Sequence, residues 1–560
     1  MRTPPQTSGA LTARAIAGTR AVLLGFDLSG PLPPDLLGFA VRRIDQATGR
    51  SEWLPNFLRF KVNEGPDGPA GTDRNPLQAF QWGDYTTEPG QRLRYEVVAM
   101  TGSPEDPQRG DEVALDVVCE RPDDGRHGIY FNRGVAGSQA YTRKFGDHSP
   151  LEVPAAAEWM SRGLEEALVE FVARAKGPGW ALRGAFYEFF HPPVLEALHR
   201  AARAGTEVAL AVSCPSSAGW PDYPAAQNID AIRAFTGKRG VYKGLSTFVT
   251  PRSHSKAIAH NKFLVLLEGG APVGVWTGST NVTPGALYGQ SNLGHVVWGA
   301  EVAQVFLAYW DLLHADKPGA DVVAFTEAQT ALAAIQDTDT SAVLSPRKGL
   351  GALDYYAGLI RAAKQSVFIT GPFGLADQIS AALAEPSDRA RYELLESEDE
   401  DLMQILRADP DNQVAAGAFL GVAGGWHQFL REQLTGLNEH VRYIHTKYLL
   451  VDPLTADPTV VTGSANFSAA STNANDENML VIRGDERVAD IYLSEFMRLF
   501  THMRFRGKVT GRSTDRRAPD PAEPAIAAPL SLKNDGRWAR PYFVAGSPKA
   551  RERELFARGS

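Results

Sequence analysis

A chain of 560 residues with 43% hydrophobic and 22% charged residues is ordinary globular material, too long for a single core, so two or three domains are expected. Its formal net charge of −8 argues against a generic nucleic-acid binder without excluding a local basic groove. No apolar run approaches the roughly 20 residues that span a bilayer, the first residues lack the apolar core of a secretory signal, and two cysteines, Cys119 and Cys214, imply no disulfide framework. A reducing cytoplasm is the expected setting, with peripheral membrane contact left open.

In chain order, residues 1–19 read as a disordered start. Residues 20–122 carry short strand-like runs (AVLLGFDL, GFAVRRI, RLRYEVVAM, DEVALDVV) broken by Pro-, Gly- and Asp-rich turns, the pattern of a small β-sandwich with immunoglobulin- or fibronectin-like strand spacing. From 123 to 335 the period changes. EWMSRGLEEALVEFVARAK and PPVLEALHRAARAG read as helices, LRGAFYEFF and TEVALAVS as strands, which implies an α/β layer fold. The alternation recurs over 336–512, with LDYYAGLIRAAK helical, QSVFITGPF a strand and LADQISAALAE helical. Residues 513–560 read as a Pro/Ala-rich linker and a tail in which Trp538, Tyr542 and Phe543 lie among basic residues, able to pack back on a lobe or dock a partner.

One chemical phrase occurs in both α/β segments. His260-Asn261-Lys262 is followed by Gly278-Ser279-Thr280-Asn281, and His445-Thr446-Lys447 by Gly463-Ser464-Ala465-Asn466, each Gly eighteen and each Asn twenty-one positions after its His. A His and a Lys two apart on a strand share a face, and a Gly-Ser turn followed by Asn adds small donors beside them. That is equipment for holding a phosphate. A lone copy of either half is usually an edge feature or a turn; the matched pair is what makes a site. The repeat, from 260 to 445, suits two similar lobes rather than a solenoid.

At these residues the chain resembles the phospholipase D superfamily, whose signature is H-x-K-x4-D followed by G-S-x-N. The second copy matches in full, from His445 to Asp452. The first is degenerate, with Leu267 at the Asp position and Glu268 one residue on, turned to the opposite face. The resemblance implies two α/β sandwich lobes whose motifs converge on one site, and phosphodiester cleavage through a phosphohistidine without metal or other cofactor. It implies catalytic roles for His260, His445, Lys262, Lys447 and Asp452, with Asn281, Asn466, Ser279 and Ser464 binding substrate. It also implies a carboxylate behind each His. Aligning Asn292 with Asn478 sets Ser291 opposite Glu477, so only His445 has such a partner, and His445 with Glu477 is expected to be the nucleophile and His260 the general acid.

Two motifs in one chain, as in the lipid-acting members of the superfamily it resembles, favour a phospholipid substrate and do not require a dimer. A nuclease acting on DNA or RNA is the alternative, supported by the basic stretch Arg504, Arg506, Lys508, Arg512, Arg516 and Arg517. A third reading is a non-catalytic phosphate-binding scaffold that meets a protein partner through the β-sandwich. Three further features read either way. Arg133 in Asn132-Arg133-Gly134 suits a phosphate contact or a plain turn, Gly424-Gly425-Trp426-His427 a substrate wall or a core tryptophan, and the acidic run Glu393 to Asp401 a cation site or, preferentially, a solvated surface.

Overall fold

The computed structural model describes residues 1–63, 70–134, 141, 144–146, 148–214, 224–234, 248–337, 339–417, 437, 443–509 and 531–559. At the N-terminal end two four-stranded antiparallel sheets face each other, one built on Leu11–Ala17 and Val22–Leu28, the other on Gly38–Asp45, Arg92–Ser103 and Asp106–Val118. Alternate residues (Leu11, Ala13, Ala15; Leu24, Phe26; Phe39, Val41; Leu93, Tyr95, Val97; Leu115, Val117) point between them and form the sandwich core.

This overturns the expected disordered start. Gln6–Ser8 and Leu11–Ala17 are strands, and every residue of the latter is buried. Its polar positions obscure the apolar alternation in the sequence, and Arg14 finds a local acceptor, donating from Nε to the Thr3 carbonyl at 3.2 Å. Helices Glu486–Val509 and Pro548–Arg558 pack on this strand from the other side.

Two seven-stranded sheets follow with one strand order. The first runs His127–Phe131, Leu293–Trp298, Ala271–Gly278, Lys262–Glu268, Trp180–Phe186, Glu207–Ser213, Val249–Arg252; the second runs Thr340–Ser345, Glu477–Arg483, Thr459–Gly463, Tyr448–Val451, Ser366–Gly371, Ala390–Leu395, Asn412–Ala416. In both, the first five strands are antiparallel neighbours and the last two join in parallel. The motif strands are therefore central, where period-2 alternation serves two buried faces. Phe263, Val265 and Leu267, with Tyr448 and Leu450, enter one core shared by the lobes. Leu264 and Leu266 face the first lobe's outer helices, and Leu449 and Val451 those of the second. Truncating a shared-core aromatic such as Phe263 to Ala would cost about 3–5 kcal/mol.

The tail folds back on the sandwich. Trp538, Tyr542 and Phe543 gather around Phe80, with ring centroids 5.5, 4.9 and 5.4 Å away. Helix Pro548–Arg558 then links sandwich and second lobe, since Arg553 and Arg558 pair with the buried Asp27 while Arg551 pairs with Asp411. The basic stretch is in part structural rather than a solvated track. Arg506 is buried and Arg504 is engaged by Gln413 and Glu552, whereas Arg512, Arg516 and Arg517 and the side chain of Lys508 lie outside the described residues. Among the described residues no helix is long and apolar enough to cross a membrane.

Candidate active site

Each motif histidine sits just ahead of its strand, and the other lobe holds its backbone. Ala259 forms a parallel bridge with Asp476 and Ile444 one with Ser291. His260 N accordingly donates to the Asp476 carbonyl at 3.0 Å and His445 N to that of Ser291 at 3.1 Å. The exchange is reciprocal, and it brings the two histidines to one place between the lobes. His445 experiences His260, Lys262 and Lys447 as nearby positive charge.

The same exchange assigns the carboxylate. His260 Nδ1–H donates to Glu477 Oε2 at 2.8 Å; Glu477 is fully buried, and its other oxygen accepts from Asn475 Nδ2 at 3.1 Å. His445 Nδ1–H donates to Asn292 Oδ1 at 2.9 Å. Asn292 cannot turn, because its Nδ2 donates to the Ala286 carbonyl and its Oδ1 also accepts from Ser279 Oγ at 2.8 Å. The expected pairing of Glu477 with His445 is thus corrected: Glu477 serves the histidine of the other lobe. The equivalent pairs are Ser291 with Asp476 and Asn292 with Glu477, one residue away from the alignment drawn on the sequence. Both hydrogen bonds leave the Nε2 edge of each ring for substrate.

The remaining motif residues divide. Lys262 and Lys447 are buried. Lys262 Nζ donates to the His260 carbonyl at 2.6 Å, and Lys447 Nζ finds no hydrogen-bond partner among the described residues. Asn281 is buried and Asn466 half-buried, each with an Oδ1 lacking a partner among the described residues. The serines are spoken for. Ser279 Oγ donates to Asn292 and accepts from Leu293 N, and Ser464 Oγ accepts from Asn478 N, so both order the turn rather than offer a spare donor. The motif glycines permit the tight turn: a Cβ on Gly278 (φ 137°) would strike the Leu293 carbonyl, and one on Gly463 the Asn478 carbonyl.

Asp452, expected to be catalytic, is structural. It lies past the far end of Tyr448–Val451, and its carboxylate accepts from the backbone N–H of Lys364, Gln365 and Ser366 at 2.8, 2.7 and 3.0 Å. In the first lobe Leu267 packs in the shared core at that position and Glu268 is exposed. Asn132 is likewise internal, donating to three carbonyls around Ala286–Gln290, and Arg133 covers Trp159. The acidic run is not a uniform solvated surface: Glu393 is buried in a strand, Glu396 accepts from Tyr443 and Ile444 N, and Asp399 caps helix Glu400–Leu406. Gly424–His427 lies outside the described residues. Both cysteines are free.

Several site residues carry no sequence motif. Tyr187, at the end of Trp180–Phe186, stands 4.9 Å (ring centroids) from His260 and 5.3 Å from Lys262 Nζ. Phe373, just past Ser366–Gly371, stands 6.1 Å from His445 and 5.9 Å from Lys447 Nζ. Asp476 is held by Arg252, which also reaches Asp316. Asn478 Nδ2 donates to Asn261 Oδ1, tying the lobes directly. Only Asn292 could have been found by spacing: it follows His260 by the same 32 positions by which Glu477 follows His445.

Burial lowers the proton affinities of the site's histidines and lysines. Burial pulls His260 down to about 4 despite Glu477, and Lys262 to about 7. Burial, then the neighbouring cations, push His445 well below the usual imidazole range, and burial likewise lowers Lys447. Glu477 stays below the normal glutamate value because His260 and Lys262 outweigh its burial. An anion in the cleft offsets the lysines and restores these proton affinities. Among the described residues no three His, Cys, Asp or Glu side chains come together as a metal-binding group.

Residues 356–500 match the family model described as "Cardiolipin synthase, PLD-like domain". Among solved structures the chain is similar to phosphatidylserine synthase from Haemophilus influenzae Rd KW20, with 12% identity over 61% of this chain and 85% of that one and a TM-score of 0.41. It is similar to Nuc of Salmonella typhimurium, a phospholipase D family member, with 23% identity over 26% and 84% of the respective chains and a TM-score of 0.21. It is similar to yeast tyrosyl-DNA phosphodiesterase, with 11% identity over 54% and 82% and a TM-score of 0.29. No curated protein sequence matches. Residues 356–500, in the second lobe, thus carry a PLD-like domain, and the first lobe repeats its His-x-Lys and Gly-Ser-x-Asn motif.

Proposed function

We propose that this chain is a phosphodiesterase working through a phosphohistidine, with His260 the nucleophile and His445 the general acid and base. The observation that carries the reading is the hydrogen bond from His260 Nδ1–H to the buried Glu477. A carboxylate fixes the tautomer that presents Nε2 and stabilises the positive charge the ring acquires as it attacks. The neutral amide of Asn292 orients His445 without adding a full negative charge, which suits a group that must give up a proton as well as hold one.

In the first step the Nε2 lone pair of His260 attacks phosphorus, the bond to the leaving oxygen breaks, and that oxygen takes a proton from Nε2 of His445. In the second, His445 Nε2 removes a proton from water, the water oxygen attacks phosphorus, and the P–N bond electrons return to His260. Lys262, Lys447, Asn281 and Asn466 surround the non-bridging oxygens as charge builds. No step needs Asp452. The absence of its equivalent from the first motif therefore does not weaken the catalytic reading against the scaffold one.

The test is a panel of phosphatidylcholine and phosphatidylglycerol vesicles with single- and double-stranded DNA and RNA, in EDTA. Turnover of any member, lost in His260→Ala and in His445→Ala, supports the reading and names the substrate. Turnover that persists in both variants, or no turnover together with no phosphohistidine, overturns it.

A further inference from the structure

Phe373 is a large apolar side chain held out in the open at the site, 54% exposed. Apolar residues scattered singly on a surface need no explanation, but this one is built into position. It is the middle residue of a tight turn closed by a bridge between Pro372 and Gly374, and Gly374 adopts φ 81°, a conformation that suits glycine. The preceding strand is tied to the second motif, because Thr370 Oγ1 donates to the Thr446 carbonyl at 2.7 Å and accepts from Tyr448 N at 3.0 Å. The ring consequently has a fixed place edge-on to His445, at an interplanar angle of 85°. The first lobe treats the same strand end differently: Tyr187 is half-buried against His260.

Resting on the reading of His445 as the acid that protonates the leaving oxygen, we propose that Phe373 is the recognition surface for the leaving group, and that this group carries a neutral planar ring attached through its alcohol. An open phenyl face gains most from a flat partner by stacking. A quaternary ammonium headgroup would also be drawn to an aromatic face, but such cations are held by cages of several rings. Here a cation is already in place, with Lys447 Nζ 5.9 Å from the Phe373 ring, and a second positive charge would be repelled. A neutral ring meets no such opposition. A nucleoside and a simple aryl alcohol share this chemistry.

The experiment uses the full chain and a series of methyl phosphate diesters of primary alcohols: 2-naphthylmethanol, the 5′-hydroxyl of thymidine, cyclohexylmethanol and choline. The readout is the kcat/KM for release of each alcohol in wild type, Phe373→Ala and Phe373→Trp. Wild type is expected to favour at least one flat alcohol over cyclohexylmethanol by ~10-fold or more, with choline the slowest. The ratio should collapse toward one in Phe373→Ala and persist in Phe373→Trp. Preference for naphthyl or for thymidine distinguishes an aryl from a nucleoside source. Equal rates for flat and saturated rings in wild type, a ratio unmoved by Phe373→Ala, or a preference for choline would overturn the inference while leaving the phosphodiesterase intact. No cleavage of these diesters beside turnover in the lipid and nucleic-acid panel overturns this inference alone; no cleavage in either, with no phosphohistidine, removes the phosphodiesterase reading and this inference with it.

Discussion

The two lobes share a strand order and a motif spacing, yet they support their histidines with different chemistry. His260 of the first lobe leans on a buried carboxylate from the second, and His445 of the second leans on an amide from the first. A repeated fold can thus make one asymmetric site by exchanging partners across its pseudo-symmetric interface, with a single Glu-to-Asn difference that, in the proposed mechanism, separates nucleophile from acid. The other visible asymmetry, Asp452 against Leu267, concerns the far ends of the strands, where Asp452 accepts from backbone N–H groups and Leu267 packs in the core.

The largest expected effect comes from removing the nucleophile. His260→Ala should lower kcat by ~10⁴-fold or more, since it removes the proposed nucleophile; steady-state kinetics on the best substrate of the panel measures it. Next comes the contrast between partners. Glu477→Gln keeps the shape and removes the charge, and should cost about 10²- to 10⁴-fold in kcat, whereas Asn292→Ala, which removes an orienting acceptor and its ties to Ala286 and Ser279 but no charge, should cost roughly tenfold. Equal losses would erase the proposed asymmetry.

Asp452→Ala should act on stability alone. Three backbone donors lose their acceptor, at about 2–3 kcal/mol in all, read as a shift in the denaturation midpoint, while kcat of the folded enzyme stays near wild type. A kcat loss rivalling that of Glu477→Gln would return Asp452 to the mechanism.

The smallest effect separates the lobes at a buried strand position. Glu393 faces Ile369 across the second sheet, where the first sheet sets Leu210 against Gly184. Neither carboxylate oxygen of Glu393 finds a partner among the described residues, and burial raises its proton affinity well above the glutamate range. Below the unfolded pKa both states hold the proton; as pH rises past it the unfolded chain ionises and the folded one does not, so stability falls. Glu393→Leu should therefore raise the midpoint by the equivalent of about 1–2 kcal/mol at pH 7 and by less at pH 4. A gain no smaller in acid would show that packing, and not the proton, is responsible.

Much of this was legible in the sequence, for identifiable reasons. The doubled His, Lys, Gly and Asn fixed the site because strand periodicity makes such spacings geometrically meaningful. The central strands were legible because their apolar runs serve two buried faces. What stayed hidden depends on contacts across the lobes. Nothing local to Glu477 says that its neighbour is His260, 217 positions away. The start of the chain hides because Thr12 and Arg14 disguise a strand whose burial comes from distant helices, and Arg506 and Glu393 are buried where charge is ordinarily solvated. Tyr187 and Phe373 announce nothing until the strand ends are placed beside the histidines.

The central claim is that His260 carries the phosphoryl group. The most direct measurement takes His445→Ala with bis(p-nitrophenyl) phosphate, whose leaving group departs without a proton, so that the first step proceeds and the second lacks its base. After an alkaline quench, peptide mass spectrometry locates the adduct. The account requires a phosphoryl ester on His260, accumulating to nearly one per chain and absent from the His260→Ala, His445→Ala double variant. An adduct on any other residue, or a phosphohistidine at position 445 in wild type, would contradict it.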